Sequence, residues 1–111
     1  MRQAGILAAA ALYALDHNIE RLKEDHAKAR YLAEELNRTK GLRVEMEEVQ
    51  TNMVIAETGP SGKTQAEVLE ILKSNGVLMT PERRSAIRAV THLDVSMDQV
   101  QKAAATIRSL F

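Results

Sequence analysis

From Ala4 to Leu15 the chain runs AGILAAAALYAL, twelve residues without a charge between Arg2 and Asp16. A helix built from this run is apolar all round, so it has no polar face to give to water and asks for burial on most sides. One small domain cannot easily supply that. Gly5 and the alanines from Ala8 to Ala11 would let another backbone approach closely. The run therefore points to a neighbour: an upstream domain, a second subunit, or both. It is also too short for a membrane span, which needs about 20 apolar residues. The segment after the alanines, Leu12 to His17, lacks a small-x-small cleavage pattern, so secretion is not expected either.

The rest of the composition narrows the function classes. With 111 residues the chain fits one modest core, small for a catalytic domain with its own cofactor cleft. Fifteen acidic residues balance fifteen basic ones, and Tyr13, Tyr31 and Phe111 are the only aromatic residues. Neither a basic footprint nor a base-stacking platform is available, which argues against nucleic-acid binding. The absence of cysteine removes disulfides and thiolate metal sites and suits a reducing, cytoplasmic setting.

After Asp16, His17 and Asn18, apolar residues return at Ile19, Leu22, Ala29, Leu32, Ala33 and Leu36 with charges between them, the pattern of an amphipathic helix ending near Asn37 to Gly41. Leu42, Val44 and Met46 alternate with Arg43, Glu45 and Glu47 as a half-exposed strand, and Met53 to Ala56 reads as a more buried one, with Gln50 to Asn52 as the turn. Thr64 and Glu67 form a capping box for a helix through about Ser74, which Asn75 and Gly76 stop. Val77 to Thr80 and Ala86 to Leu93 are two further strands, joined by a polar hairpin tip at Glu82 to Arg84. Ser96 and Gln99 open a last helix, whose Val100, Ala103, Ala104, Ile107 and Leu110 share a face. The expected fold is α+β: a long N-terminal helical arm over 1–37, then a ββαββα two-layer sandwich over 38–111.

Several constellations invite a chemical reading. TGPSGKT, Thr58 to Thr64, ends like a phosphate loop, but its first glycine would fall where Glu57 stands, so an ordinary loop and helix cap are expected. His17 and His26 lie nine apart, not a same-face spacing for metal ligands, and no metal site is expected. His92 reads first as a satisfied residue near a strand end. No Ser/His/Asp set is legible, so no catalytic residue is assigned.

Arg88 is different. Between Ile87 and Val90 in a strand, its charge must reach an edge, a cleft or a partner. There it would either form a structural ion pair, the commoner use, or grip a carboxylate bidentately from a rigid support. Arg2, beside the all-apolar helix, is either an anion binder or a helix-start residue.

MRQAGILAAAALYAL, EDHAKARYLAEELN, VQTNMV, NGVLM and above all IRAVTHLDVS resemble the C-terminal portion of low-specificity L-threonine aldolases, across essentially the whole chain. The resemblance implies the small domain of a fold type I pyridoxal-phosphate enzyme that cleaves L-threonine or L-allo-threonine to glycine and an aldehyde. It implies that the catalytic lysine and the main cofactor contacts lie on an upstream large domain, so that Met1 corresponds to an internal position of a longer enzyme. It also implies a homo-oligomer, tetramer or dimer, with active sites at subunit interfaces. Carried over by residue, Arg88 would bind the substrate α-carboxylate and Arg2 would lie near the cofactor phosphate of a neighbouring site. Ala89 stands where many members have a bulkier aliphatic residue. Two other readings remain beside this one: a non-catalytic assembly module acting through the apolar helix, and the small domain of another fold type I enzyme.

Overall fold

The computed structural model describes residues 2–111; Met1, which opens the MRQAG motif, lies outside them. Helix α1 spans Ala4–His17 and α2 spans Leu22–Asn37. Strands β1 (Arg43–Val44) and β2 (Met53–Glu57), helix α3 (Gln65–Ser74), strands β3 (Thr80–Pro81) and β4 (Ala86–Val90), and helix α4 (Met97–Leu110) follow. The strands form one antiparallel sheet in the order β1-β2-β4-β3. This is an α+β fold.

Register decides which side chains meet. Val54 pairs with Ala89 and Ala56 with Ile87, while Val44 pairs with Ala56, so these five residues share one face of the sheet. Against them pack the apolar stripes of the helices: Ala29, Leu32, Ala33 and Leu36 of α2, Val68 and Leu72 of α3, and Val100, Ala104 and Ile107 of α4. Spacings of three and four put each set on one side of its helix. Leu36, Leu72 and Ile107 are fully buried, each contributing about 1.5–3 kcal/mol by leaving water. Helix α2 lies at the centre of this layer, against β1, β2 and α4. The opposite face of the sheet carries Met53, Ile55, Thr80, Arg88 and Val90 and, among the described residues, has no α-helix packed over it.

The helix ends follow the sequence closely. Thr64 and Glu67 cap α3 reciprocally, and Ser96 and Gln99 do the same for α4. Three strands are shorter than the sequence predicts. The first keeps only Arg43 and Val44, after which Met46–Glu48 turns as a 3-10 helix. The third begins at Thr80 rather than Val77, because the Val77 amide is spent closing α3. Its N–H donates to the Leu72 carbonyl at 2.9 Å, and the Gly76 N–H donates to Lys73 at 3.1 Å with Gly76 at φ 80°, a Schellman closure. The strand expected over Ala86 to Leu93 stops at Val90, whose ladder partner Met53 is the first residue of β2.

Helix α1 stands apart. None of its residues is buried, and Ile6, Leu7, Leu12, Tyr13 and Leu15 are all more than half exposed. The arm stretches the molecule to 49 × 28 × 26 Å, with a radius of gyration of 16.0 Å, against about 13 Å for a compact domain of this size. The burial that its composition asks for is not supplied within the chain. At 14 residues it is not a membrane span, and no described helix is long and apolar enough to be one.

Candidate functional site

Strand β4 lies inside the sheet, hydrogen-bonded to β2 on one side and β3 on the other. Arg88 pairs in register with Ile55 and with Thr80, so its side chain rises from the middle of the open face. The Thr80 hydroxyl donates to the Arg88 carbonyl at 3.4 Å. Arg88 Nη1 lies 3.3 Å from Glu82 Oε2, with the two side chains 39% and 31% exposed. Nε of the same guanidinium is buried and makes no hydrogen bond. A guanidinium presents a planar fork of donors suited to a carboxylate. Glu82 occupies one branch of that fork, and the inner donor is left to spare. Apolar Met53, Ile55 and Val90 flank it, and Glu57 and Arg83 form a separate pair at 3.5 Å towards one end of the face.

Just beyond Arg88 a polar knot fixes the end of β4. The buried Thr91 hydroxyl donates to the Asp25 carbonyl at 2.7 Å, and the Thr91 N–H donates to the Asn52 carbonyl at 2.9 Å. Asn52 Nδ2 in turn donates to the Thr91 carbonyl at 2.9 Å. Lys28 and Asp25 form a buried ion pair at 3.6 Å, and Lys28 Nζ reaches the His92 carbonyl at 3.4 Å. The strand that carries Arg88 is thereby tied to the first turns of α2. Composition alone does not show this knot, because each of its members reads separately as a turn or surface residue.

The other singled-out residues are placed as follows. His92 Nδ1 accepts from the Asp94 N–H at 3.2 Å, within the turn leading to α4. Arg2 is exposed ahead of α1, and among the described residues it makes no ion pair and no interaction brings it to Arg88. In TGPSGKT the buried Thr58 hydroxyl bonds the Ser85 carbonyl, and Ser61 Oγ donates to the Thr58 carbonyl at 2.6 Å. The Glu67 carboxylate accepts the Thr64 N–H at 2.8 Å, so the helix start, where a phosphate would bind, already holds an anion. That backbone bond, then the Thr64 hydroxyl, holds the Glu67 carboxyl below the usual glutamate range. Among the described residues no group of three histidines or carboxylates is arranged to hold a metal.

The beta-eliminating lyase family matches residues 1–58, just over half the chain. The chain belongs to that family. Among its members, low-specificity L-threonine aldolase 1 of Arabidopsis thaliana is 43% identical over 101 residues, covering 90% of this chain and 28% of its own length. The low specificity L-threonine aldolase of Escherichia coli K12 is 42% identical over 109 residues, 98% of this chain and 31% of its own. This lyase-family chain thus spans under a third of the relatives' length, matching their C-terminal part. The resemblance read from the motifs holds over the whole chain.

Solved structures agree on the fold. MppP, in a structure soaked with 2-ketoarginine, superposes with a TM-score of 0.66 at 19% identity, over 87% of this chain and 30% of that one. Ornithine delta-aminotransferase of Plasmodium falciparum superposes with a TM-score of 0.61 at 18% identity, over 81% and 24%.

Proposed function

We propose that the chain is the small-domain portion of a pyridoxal-phosphate-dependent aldolase cleaving L-threonine or L-allo-threonine to glycine and an aldehyde. The observation that carries this reading is Arg88, held in an interior strand with a buried, unbonded Nε on an uncovered sheet face. In this reading Arg88 receives the α-carboxylate of the amino acid. The stiffness of β4, pinned at Thr91 to α2, keeps the guanidinium from following the substrate about, so the carboxylate is fixed and with it the orientation of the bond to be broken. Arg88 positions and does not react.

Pyridoxal phosphate, when bound, supplies the electron sink for carbon–carbon cleavage. The residues present fit a minor share in holding it. Arg2, exposed and without an ion-pair partner among the described residues, is one of several such cations, and the family resemblance singles it out for a phosphate. It sits just ahead of helix α1, none of whose residues is buried among the described residues, which supports its serving a neighbouring site in a homo-oligomer, tetramer or dimer. The arm, residues 1–37, is the connection to an upstream large domain and the subunit contact; residues 38–111 form the small domain, with α2 of the arm packed into its core. A cytoplasmic setting accords with the lack of cysteine.

The test is R88A in the intact polypeptide that carries these residues, assayed for threonine cleavage. Loss of a charge-assisted fork of this kind costs about 2–5 kcal/mol, roughly 30-fold to several-thousand-fold in kcat/KM. R88K keeps the charge but loses the fork and falls between the two. Wild-type kinetics in R88A would remove Arg88 from the site.

A further inference from the structure

Arg88 faces a carboxylate of its own chain. Thr80, directly opposite Arg88 in the ladder, and Glu82, two residues further on, project to the same side of the hairpin, and Glu82 Oε2 comes to 3.3 Å from Nη1. We propose that Glu82 is an intramolecular stand-in for the substrate carboxylate, a competing ligand that sets how tightly Arg88 takes an amino acid. The inference rests on the reading of Arg88 as the carboxylate site.

Three features make Glu82 a built competitor rather than a passing surface contact. Its backbone is held: Gln65 Nε2, from the first turn of α3, donates to the Arg83 carbonyl at 2.9 Å, to the Ala86 carbonyl, and to Glu82's own carbonyl at 3.5 Å. The hairpin therefore delivers the carboxylate to Arg88 from a fixed support. Glu82 also engages the guanidinium through one nitrogen, Nη1, so it holds the arginine by one contact where a free carboxylate can take two. Finally, both side chains are partly in water, so the pair is weak enough to open for each incoming substrate. Glu82 keeps the guanidinium compensated between turnovers and yields to a better-fitting carboxylate.

Exposed pairs of this kind change an equilibrium by no more than about five-fold, which sets the size of the effect. In the intact polypeptide, Glu82→Gln keeps shape and removes the competing charge. Glycine binding, followed by calorimetry, should tighten roughly two- to five-fold, and KM for threonine should fall by the same factor. Methylamine, which lacks the carboxylate, should bind E82Q and wild type alike. Glu57, on the same face but paired with Arg83 at 3.5 Å, is the charge control, and E57Q should leave glycine affinity unchanged. Unchanged or weaker glycine binding in E82Q, or an equal gain in E57Q, overturns the proposal. R88A separates the two layers of inference. If it loses glycine binding while E82Q changes nothing, only the role of Glu82 falls. If it binds glycine as wild type does, the carboxylate site itself falls.

Discussion

Replacing Thr91 by valine tests the knot that ties the arginine-bearing strand to helix α2. Valine matches threonine in shape, so the 2%-exposed pocket stays filled. What disappears is the hydroxyl hydrogen bond to the Asp25 carbonyl at 2.7 Å and its longer contact to Asn52 at 3.4 Å. The Asp25 carbonyl sits in the first turn of α2 and keeps its helical acceptor role, so it is not stranded by the change. The loss is therefore the net value of one buried hydrogen bond, about 0.5–1.5 kcal/mol. For a chain of 111 residues the unfolding entropy makes 1 kcal/mol worth about 4 °C, so Tm should fall by roughly 2–6 °C. Scanning calorimetry measures this, with both proteins at one concentration because any self-association would move the midpoint by mass action. A T91V protein as stable as wild type would show that the hydroxyl is as well satisfied by water in the unfolded chain, and that the backbone bonds to Asn52 and packing suffice to hold the end of β4.

Two further outcomes follow from the same structure. Glu67, held below the usual glutamate range by the Thr64 N–H and then the Thr64 hydroxyl, contributes stability that is complete above that range and is lost as pH falls through its depressed folded value. Urea midpoints followed down the acid limb should show this loss in wild type and a smaller one in E67Q; parallel curves would refute the assignment. The exposed apolar arm should make the isolated chain self-associate. The pair L7E/L12E should then shift sedimentation toward monomer without loss of helix by circular dichroism, whereas a wild type that is monomeric at all concentrations would refute it.

Helix ends were the most legible part of the fold, because a capping box is written in two residues three apart and needs no tertiary partner. Thr64 with Glu67 and Ser96 with Gln99 are found as read. Strand lengths were less legible. Alternation from Leu42 to Glu47 states only that a segment suits a ladder, while pairing is available to just Arg43 and Val44 at the sheet edge. Val77 looked like the start of a strand because the Schellman closure that claims its amide depends on backbone geometry at Gly76. Arg88 was visible as a misplaced charge in an apolar strand. Its partner was not: Glu82, Arg83 and Arg84 read alike as a polar hairpin tip, and only the ladder register turns Glu82 rather than its neighbours back onto Arg88. The five members of the Thr91 knot come from three separate stretches of chain, which no local pattern connects.

The interior position of β4 has a consequence for how such a protein can change. Moving the backbone at Arg88 would break ladders on both flanks at once, so the strand is a poor place for gradual adjustment. The hairpin tip, Glu82 to Arg84, lies outside those ladders; its residues are exposed, and Gln65 holds it by the Glu82 and Arg83 carbonyls. Variation in grip is therefore cheapest in the hairpin and dearest in the strand, and descendants of this sequence have room to alter appetite for a ligand while leaving its orientation alone.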